Sequence, residues 1–179
     1  MKAIMTLLAG LAISASAKAG ELSNYTPVIS GKLSRAGSSQ RQELSDASLK
    51  RLCEQGYTLA MFLYPGARAR TVSCGGGKQI RYFSKVRYSR PEPILAEAEA
   101  EINRGGKVLV HCWYGVHGAK YVAAAALNKF CGWSGSQASS YFVRGIPPGS
   151  LAQKTIDELA AKLRTYPSGG SVTGGCPSP

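Results

Sequence analysis

Both histidines of the chain lie in one stretch, Val108-Leu109-Val110-His111-Cys112-Trp113-Tyr114-Gly115-Val116-His117-Gly118-Ala119-Lys120. The apolar run ending at His111-Cys112 reads as a buried strand, and the Ala-rich run from Lys120 to Phe130 reads as the helix that follows it. Between them, the backbone amides of Trp113, Tyr114, Gly115, Val116, His117 and Gly118 are expected to converge near the positive end of a helix dipole. Such a place suits a phosphate-sized anion and favours the thiolate form of a cysteine set among the amides. Cys112 is placed to be that thiol, with His111 beside it. His111, Cys112 and His117 are also metal-ligand types. Adjacent residues at a strand end point to opposite faces, however, and no fourth ligand is in view, so neither a metal nor a cofactor is expected.

The layout resembles the signature of the cysteine-dependent phosphatases, the tyrosine and dual-specificity superfamily: His-Cys, two residues, Gly, two residues, Arg, then Ser or Thr. His111, Cys112 and Gly115 fall on that pattern, whereas Gly118 stands at the arginine position and Ala119 at the hydroxyl position. In the family the cysteine attacks phosphorus, the arginine grips two phosphoryl oxygens, and the hydroxyl helps the thiolate leave. The departures therefore strike the chemistry itself, since a phosphoryl-gripping arginine is worth about 10³ to 10⁵ in rate in other phosphoryl transfers. Lys120 lies about 200° around the helix from position 118, which points it toward a solvated face. A neutral His117 imidazole offers one donor and is cationic only below a pKa of about 6.5.

The family's second element is an aspartic acid that protonates the leaving oxygen. The chain has only Asp46 and Asp157, neither of them between the strand read at Gln79 to Val86 and Cys112. In its place stands Arg87-Tyr88-Ser89-Arg90-Pro91-Glu92. Glu92 suits the first turn of a helix, where it complements the dipole, and is also the one carboxylate early enough to lean over the site. Arg87 or Arg90 could supply the charge that Gly118 lacks, although exposed arginines also suit a generally basic surface. Trp113 and Tyr114 would narrow the pocket. The segments Leu33-Ser34-Arg35-Ala36-Gly37-Ser38-Ser39-Gln40 and Leu44 to Leu63 resemble the family's opening strand, turn, helix and central strand.

The elements needed to position this loop alternate. Strands are expected near Gly31–Ser34, Thr58–Tyr64, Gln79–Val86 and Lys107–His111. Helices are expected near Asp46–Gln55, Glu92–Arg104, Lys120–Phe130, Gln137–Val143 and Leu151–Arg164, with Ser134 or Ser136 and Ser150 as caps. The fold class is α/β and, by the resemblance, dual-specificity-phosphatase-like: a central, mostly parallel sheet of about four to five strands flanked by about five helices. Arg68 to Gly77 reads as a mobile loop. The domain is expected over residues 20–165, with 166–179 a flexible Gly/Ser/Pro tail.

Residues 1–19 read as a secretory signal: Met1-Lys2, a small apolar run, and a cleavable Ala17-Lys18-Ala19. The run is too short for a permanent anchor, so no transmembrane segment is expected after cleavage, and a periplasmic or secreted setting follows. Loss of Lys2 and Lys18 takes the formal charge from +12 to +10. Five cysteines in an oxidising compartment leave at least one unpaired, and Cys112 is the natural one. Proximity favours Cys53 with Cys74 and Cys131 with Cys176.

The basic charge attracts anionic partners: phosphorylated or other anionic ligands, membrane headgroups, cell-wall polymers or acidic proteins. Nucleic acid is not excluded, but outside the cytoplasm it would be a ligand only in settings such as DNA transfer. Three functions fit. One is a phosphatase-like protein whose loop binds a phosphoryl group, or a protein partner, with attenuated or no turnover. Another is an active cysteine phosphatase in which a different basic residue replaces the arginine. The last is thiol–disulfide exchange at Cys112.

Overall fold

The computed structural model describes residues 22–39, 41–85 and 88–179. The expected signal at 1–19 lies outside them, as do Gln40, Val86 and Arg87. Elements run β1 (Leu22–Ile29), β2 (Leu33–Ser38), α1 (Asp46–Glu54), β3 (Tyr57–Phe62), β4 (Arg70–Gly75), β5 (Lys78–Ser84), α2 (Glu92–Asn103), β6 (Lys107–Cys112), α3 (Gly118–Cys131), α4 (Gly135–Val143) and α5 (Gln153–Arg164). The strands form one six-stranded sheet in the order β1-β2-β6-β3-β5-β4. Its interior pairs β2–β6, β6–β3 and β3–β5 are parallel, while β1 and β4 close the edges antiparallel.

The middle of strand β6, Val108-Leu109-Val110, is apolar because both of its faces are covered, as parallel interior strands require. Val108, Val110 and Cys112 join the core built with α2, α3, α4 and α5. Leu109 joins the core on the other face, with Leu49 and Leu52 of α1 and Tyr57, Phe62 and Tyr82 of the sheet. The strand thus carries its last residue to the carboxyl edge of the sheet, with α3 beginning a short loop later.

The sheet has two strands more than the four read from the sequence, both at edges. β1 contains Pro27 and Asn24 at φ 49°, with register shifts on either side of Thr26 and Pro27, so its hydrophobic pattern is broken in the way edge strands tolerate. β4 falls in the stretch read as a mobile loop. Its residues alternate in burial, it pairs with β5 across Gly75, Gly76 and Gly77, all at positive φ, and the Cys53–Cys74 disulfide ties it to α1. Positive φ without steric cost is what a tight hairpin needs from those glycines.

Both disulfides pair as read, Cys53–Cys74 and Cys131–Cys176, and Cys112 is the free, buried thiol. The tail expected to be flexible is instead held along the domain. Gly169 and Val172 donate backbone hydrogen bonds to the carbonyls of Asn128 and Phe130, Gly175 accepts from Ser30, and Val172 is buried. The composition is poor in apolar residues, as expected, but backbone bonds and the disulfide substitute for a hydrophobic face. Ser134 caps α4 in a reciprocal box with Gln137, whereas Ser150 caps nothing: α5 starts after Ala152.

Candidate anion-binding loop at Cys112

The segment from Trp113 to His117 leaves β6 and enters α3, and its shape is fixed from behind. Ser38 N–H donates to the Trp113 carbonyl at 3.1 Å, Asn24 Nδ2 to the Tyr114 carbonyl at 2.7 Å, and the Arg35 guanidinium to the Gly115 carbonyl. Three successive carbonyls are thereby drawn toward β1 and β2. In a trans peptide the next N–H points the opposite way, so the amides of Tyr114, Gly115 and Val116 turn toward the loop's inner side. The sulfur stands there: Gly115 N–H donates to Cys112 Sγ at 3.1 Å. Two glycines make this packing possible. Gly115 has φ 76°, and a Cβ on it would lie 2.5 Å from the Gly37 nitrogen; a Cβ on Gly37 would lie 2.4 Å from the Tyr114 carbonyl carbon.

Tyr64 and Tyr88 neighbour the sulfur. Cys112 is 1 % exposed. The Tyr64 ring stacks on Trp113 with centroids 4.4 Å apart, and Tyr88 meets Tyr64 edge-on at 6.1 Å. Burial and the neighbouring Cys112 charge push the Tyr64 phenol up to about 12 and raise that of Tyr88. Both therefore stay protonated near neutrality. A Cβ at position 118 would approach Tyr88 Cδ1 at 2.9 Å and Cγ at 3.0 Å. The ring of Tyr88 occupies the room into which any side chain at this position would grow.

His111 and Cys112 face opposite sides of the sheet. The His111 ring is fully buried, stacked on Phe62 at 4.8 Å, and its Nε2 bonds the Tyr82 hydroxyl at 2.9 Å. That hydroxyl also accepts from Leu44 N–H at 3.0 Å. Burial pushes the imidazole down to about 3, so it is neutral and acts on the loop through its backbone position. His117 begins α3 without capping it by its side chain. Its Nε2 meets Ser150 Oγ at 2.9 Å, and burial lowers its pKa, which removes it as a replacement cation. Among the described residues no cluster of three His, Cys, Asp or Glu is placed to hold a metal.

The auxiliary residues separate. Arg90 is exposed, and Arg87 lies outside the described residues. Glu92 sits in the first turn of α2, where its charge acts on Tyr121 and Tyr166, and it lines a cleft with Glu99 and Lys129. The dipole-complementing reading of Glu92 therefore fits. Lys120 departs from expectation: it is 6 % exposed, not solvated, because α3 is buried on nearly every side. Asn24, Arg35, Ser38, Tyr64 and Tyr88 shape the site and were not singled out for it. Arg35, Gly37 and Ser38 lie in the stretch that resembles the family's opening turn, but no spacing rule links a residue of β2 to a carbonyl eighty positions later. The other four cysteines are paired, so none of them stands as a resolving thiol for the buried Cys112.

No family model and no curated protein matches the sequence. Solved structures do. TpbA of P. aeruginosa superposes with a TM-score of 0.53 at 18 % identity, over 80 % of this chain and 88 % of that one. The chain has the cysteine-phosphatase fold. Human DUSP28 gives a TM-score of 0.53 at 18 % identity, over 80 % of this chain and 93 % of that one. The core catalytic domain of the PP-IP phosphatase SIW14 from S. cerevisiae gives 0.52 at 16 % identity, over 80 % and 85 %. In this phosphatase-like fold the six strands and five helices therefore follow a known architecture, while Gly118 and Ala119 open α3 directly after the loop.

Proposed function

We propose that the protein is an exported phosphatase-like binder whose Cys112 loop holds a phosphoryl group or similar oxyanion without sustained turnover. The observation that carries this reading is the pairing of an inward-turned amide loop with a tyrosine ring packed against Gly118. Amides of Tyr114, Gly115 and Val116 supply donors for a tetrahedral guest, and protonated Tyr64 and Tyr88 line the same region. The missing guanidinium removes about 10³ to 10⁵ in rate, and a missing general acid a further 10² to 10⁴. What remains is recognition. Related folds are compatible with such guests: TpbA has been solved in complex with pTyr, and SIW14 in complex with citrate. Export is supported by residues 1–19, by two disulfides, and by the lack, among the described residues, of a helix long and apolar enough to cross a membrane.

Titration of the mature, oxidised chain with tungstate, followed by intrinsic fluorescence of the Trp113–Tyr64 stack, tests binding. Phosphate release from aryl phosphate, with Cys112→Ser as control, tests turnover. Saturable quenching without Cys112-dependent release is the expected pair of results. Cys112-dependent release over many turnovers would overturn the inactive reading, and absence of any oxyanion binding would overturn the site.

A further inference from the structure

A cavity of about 750 Å³ opens between β1, β2 and α4, and Cys112 is not among its lining residues. Three cations line it, each from a different element: Arg35 of β2, Lys120 of α3 and Arg144 at the end of α4. Among the described residues, no aspartate or glutamate does. Arg35 Nε donates to the Tyr141 hydroxyl at 3.2 Å, which fixes its guanidinium at the wall. Lys120 is the telling residue. Although 6 % exposed, it has no carboxylate or hydrogen-bond acceptor among the described residues; its one close partner is the Tyr141 ring, 5.7 Å from Nζ to centroid. Burying an ammonium without a counter-charge is costly, and placing it beside two guanidinium groups adds repulsion. Burial, Arg35 and Arg144 accordingly push Lys120 down to about 8, which leaves it still largely charged near neutrality.

From this convergence we infer that the cavity is a second anion site, separate from the Cys112 loop, for a small polyanion of the oligophosphate class carrying at least two charged groups. The volume falls within the range of organic-ligand pockets, about 300–1,000 Å³, and exceeds what one tetrahedral ion would fill. Guanidinium groups match phosphoryl oxygens in pairs, and the ammonium acts as a point charge between them. Ser136 and Ser140 add hydroxyls along the α4 wall. The same Arg35 that faces the cavity also holds the Gly115 carbonyl, so an anion drawn to its guanidinium competes with the contact that shapes the Cys112 loop.

Isothermal titration of the mature, oxidised chain with inorganic tripolyphosphate, and with orthophosphate as the smaller probe, tests the site. Tripolyphosphate is expected to bind more tightly than orthophosphate, and Arg144→Gln and Lys120→Met are each expected to weaken it about tenfold or more. Arg144 is exposed, so that variant reports on the site even if a change at buried Lys120 disturbs folding. Lys120→Arg should retain binding. Cys112→Ser should leave the affinity unchanged; a parallel loss there would put the ligand on the loop and overturn the inference. So would full-strength binding in Arg144→Gln, or no tripolyphosphate binding at all. None of these failures bears on tungstate binding at Cys112.

Discussion

Tyr88 and Gly118 are predicted to be energetically coupled, with a change of sign that makes the test decisive. A methyl at position 118 would sit 2.9 Å from Tyr88 Cδ1 and 3.0 Å from Cγ, well inside the separation of about 3.5–4.0 Å at which carbons attract. Both contacted atoms belong to the root of the ring, and the ring is flanked edge-on by Tyr64 and Tyr121, so it cannot simply swing aside. Overpacking of this kind costs about 1–3 kcal/mol. Against it stands a gain of at most about 0.5–1 kcal/mol for replacing a helical glycine by alanine. Gly118→Ala should therefore destabilise the wild-type chain by about 0.5–2 kcal/mol, yet stabilise Tyr88→Ala by up to about 0.5–1 kcal/mol. Urea unfolding of the four proteins in the cycle measures the coupling, expected at about 1–3 kcal/mol. Effects that add to within about 0.5 kcal/mol would refute the idea that the ring fills the space beside position 118. The same logic applies to restoring the signature. Gly118→Arg with Ala119→Ser should yield Cys112-dependent phosphate release only when Tyr88→Ala is also present.

Gly115→Ala, with φ 76° and a Cβ 2.5 Å from Gly37 N, should abolish tungstate quenching while leaving the far-ultraviolet circular dichroism intact. Replacing Cys53 and Cys74 by serine should lower stability by about 3 kcal/mol, and replacing Cys131 and Cys176 by about 4 kcal/mol, from the respective separations of 21 and 45 residues; urea midpoints in the absence of reductant measure both. His111 is neutral when folded, down to about pH 3, but protonates near 6.5 when unfolded. Its contribution to stability is complete above about pH 6.5 and is lost as pH falls, at up to about 1.4 kcal/mol per pH unit. His111→Asn should flatten the acid limb of the stability profile relative to the wild type; an unchanged slope would mean that other groups set it.

The central elements were legible because their signals are local. The apolar run of β6 and the Ala-rich α3 declare themselves within a few residues, Ser134 is one of the two caps the sequence offers for α4, and the family's signature spacing sets Cys112 at the end of the strand before the helix. The edges were not, because β1 carries Pro27 and an irregular register, and β4 is a short half-exposed strand held by a disulfide and a glycine hairpin. The signature spacing singles out the loop's residues, but it says nothing of what shapes them. Asn24, Arg35 and Ser38 act through carbonyls distant in sequence, and Tyr88 matters only because α3 begins against its ring. Lys120 failed for a related reason: angular position on a helix predicts exposure only when one side of that helix meets water, and α3 is enclosed.

Five thiols and only two native bridges impose an order of events on maturation. Once the domain has closed, the unpaired sulfur is buried and the other four are held in their bridges. Before closure it is as available as the rest. Collapse must then outrun oxidation, and refolding in a strongly oxidising buffer should trap mispaired chains that a mild thiol buffer rescues.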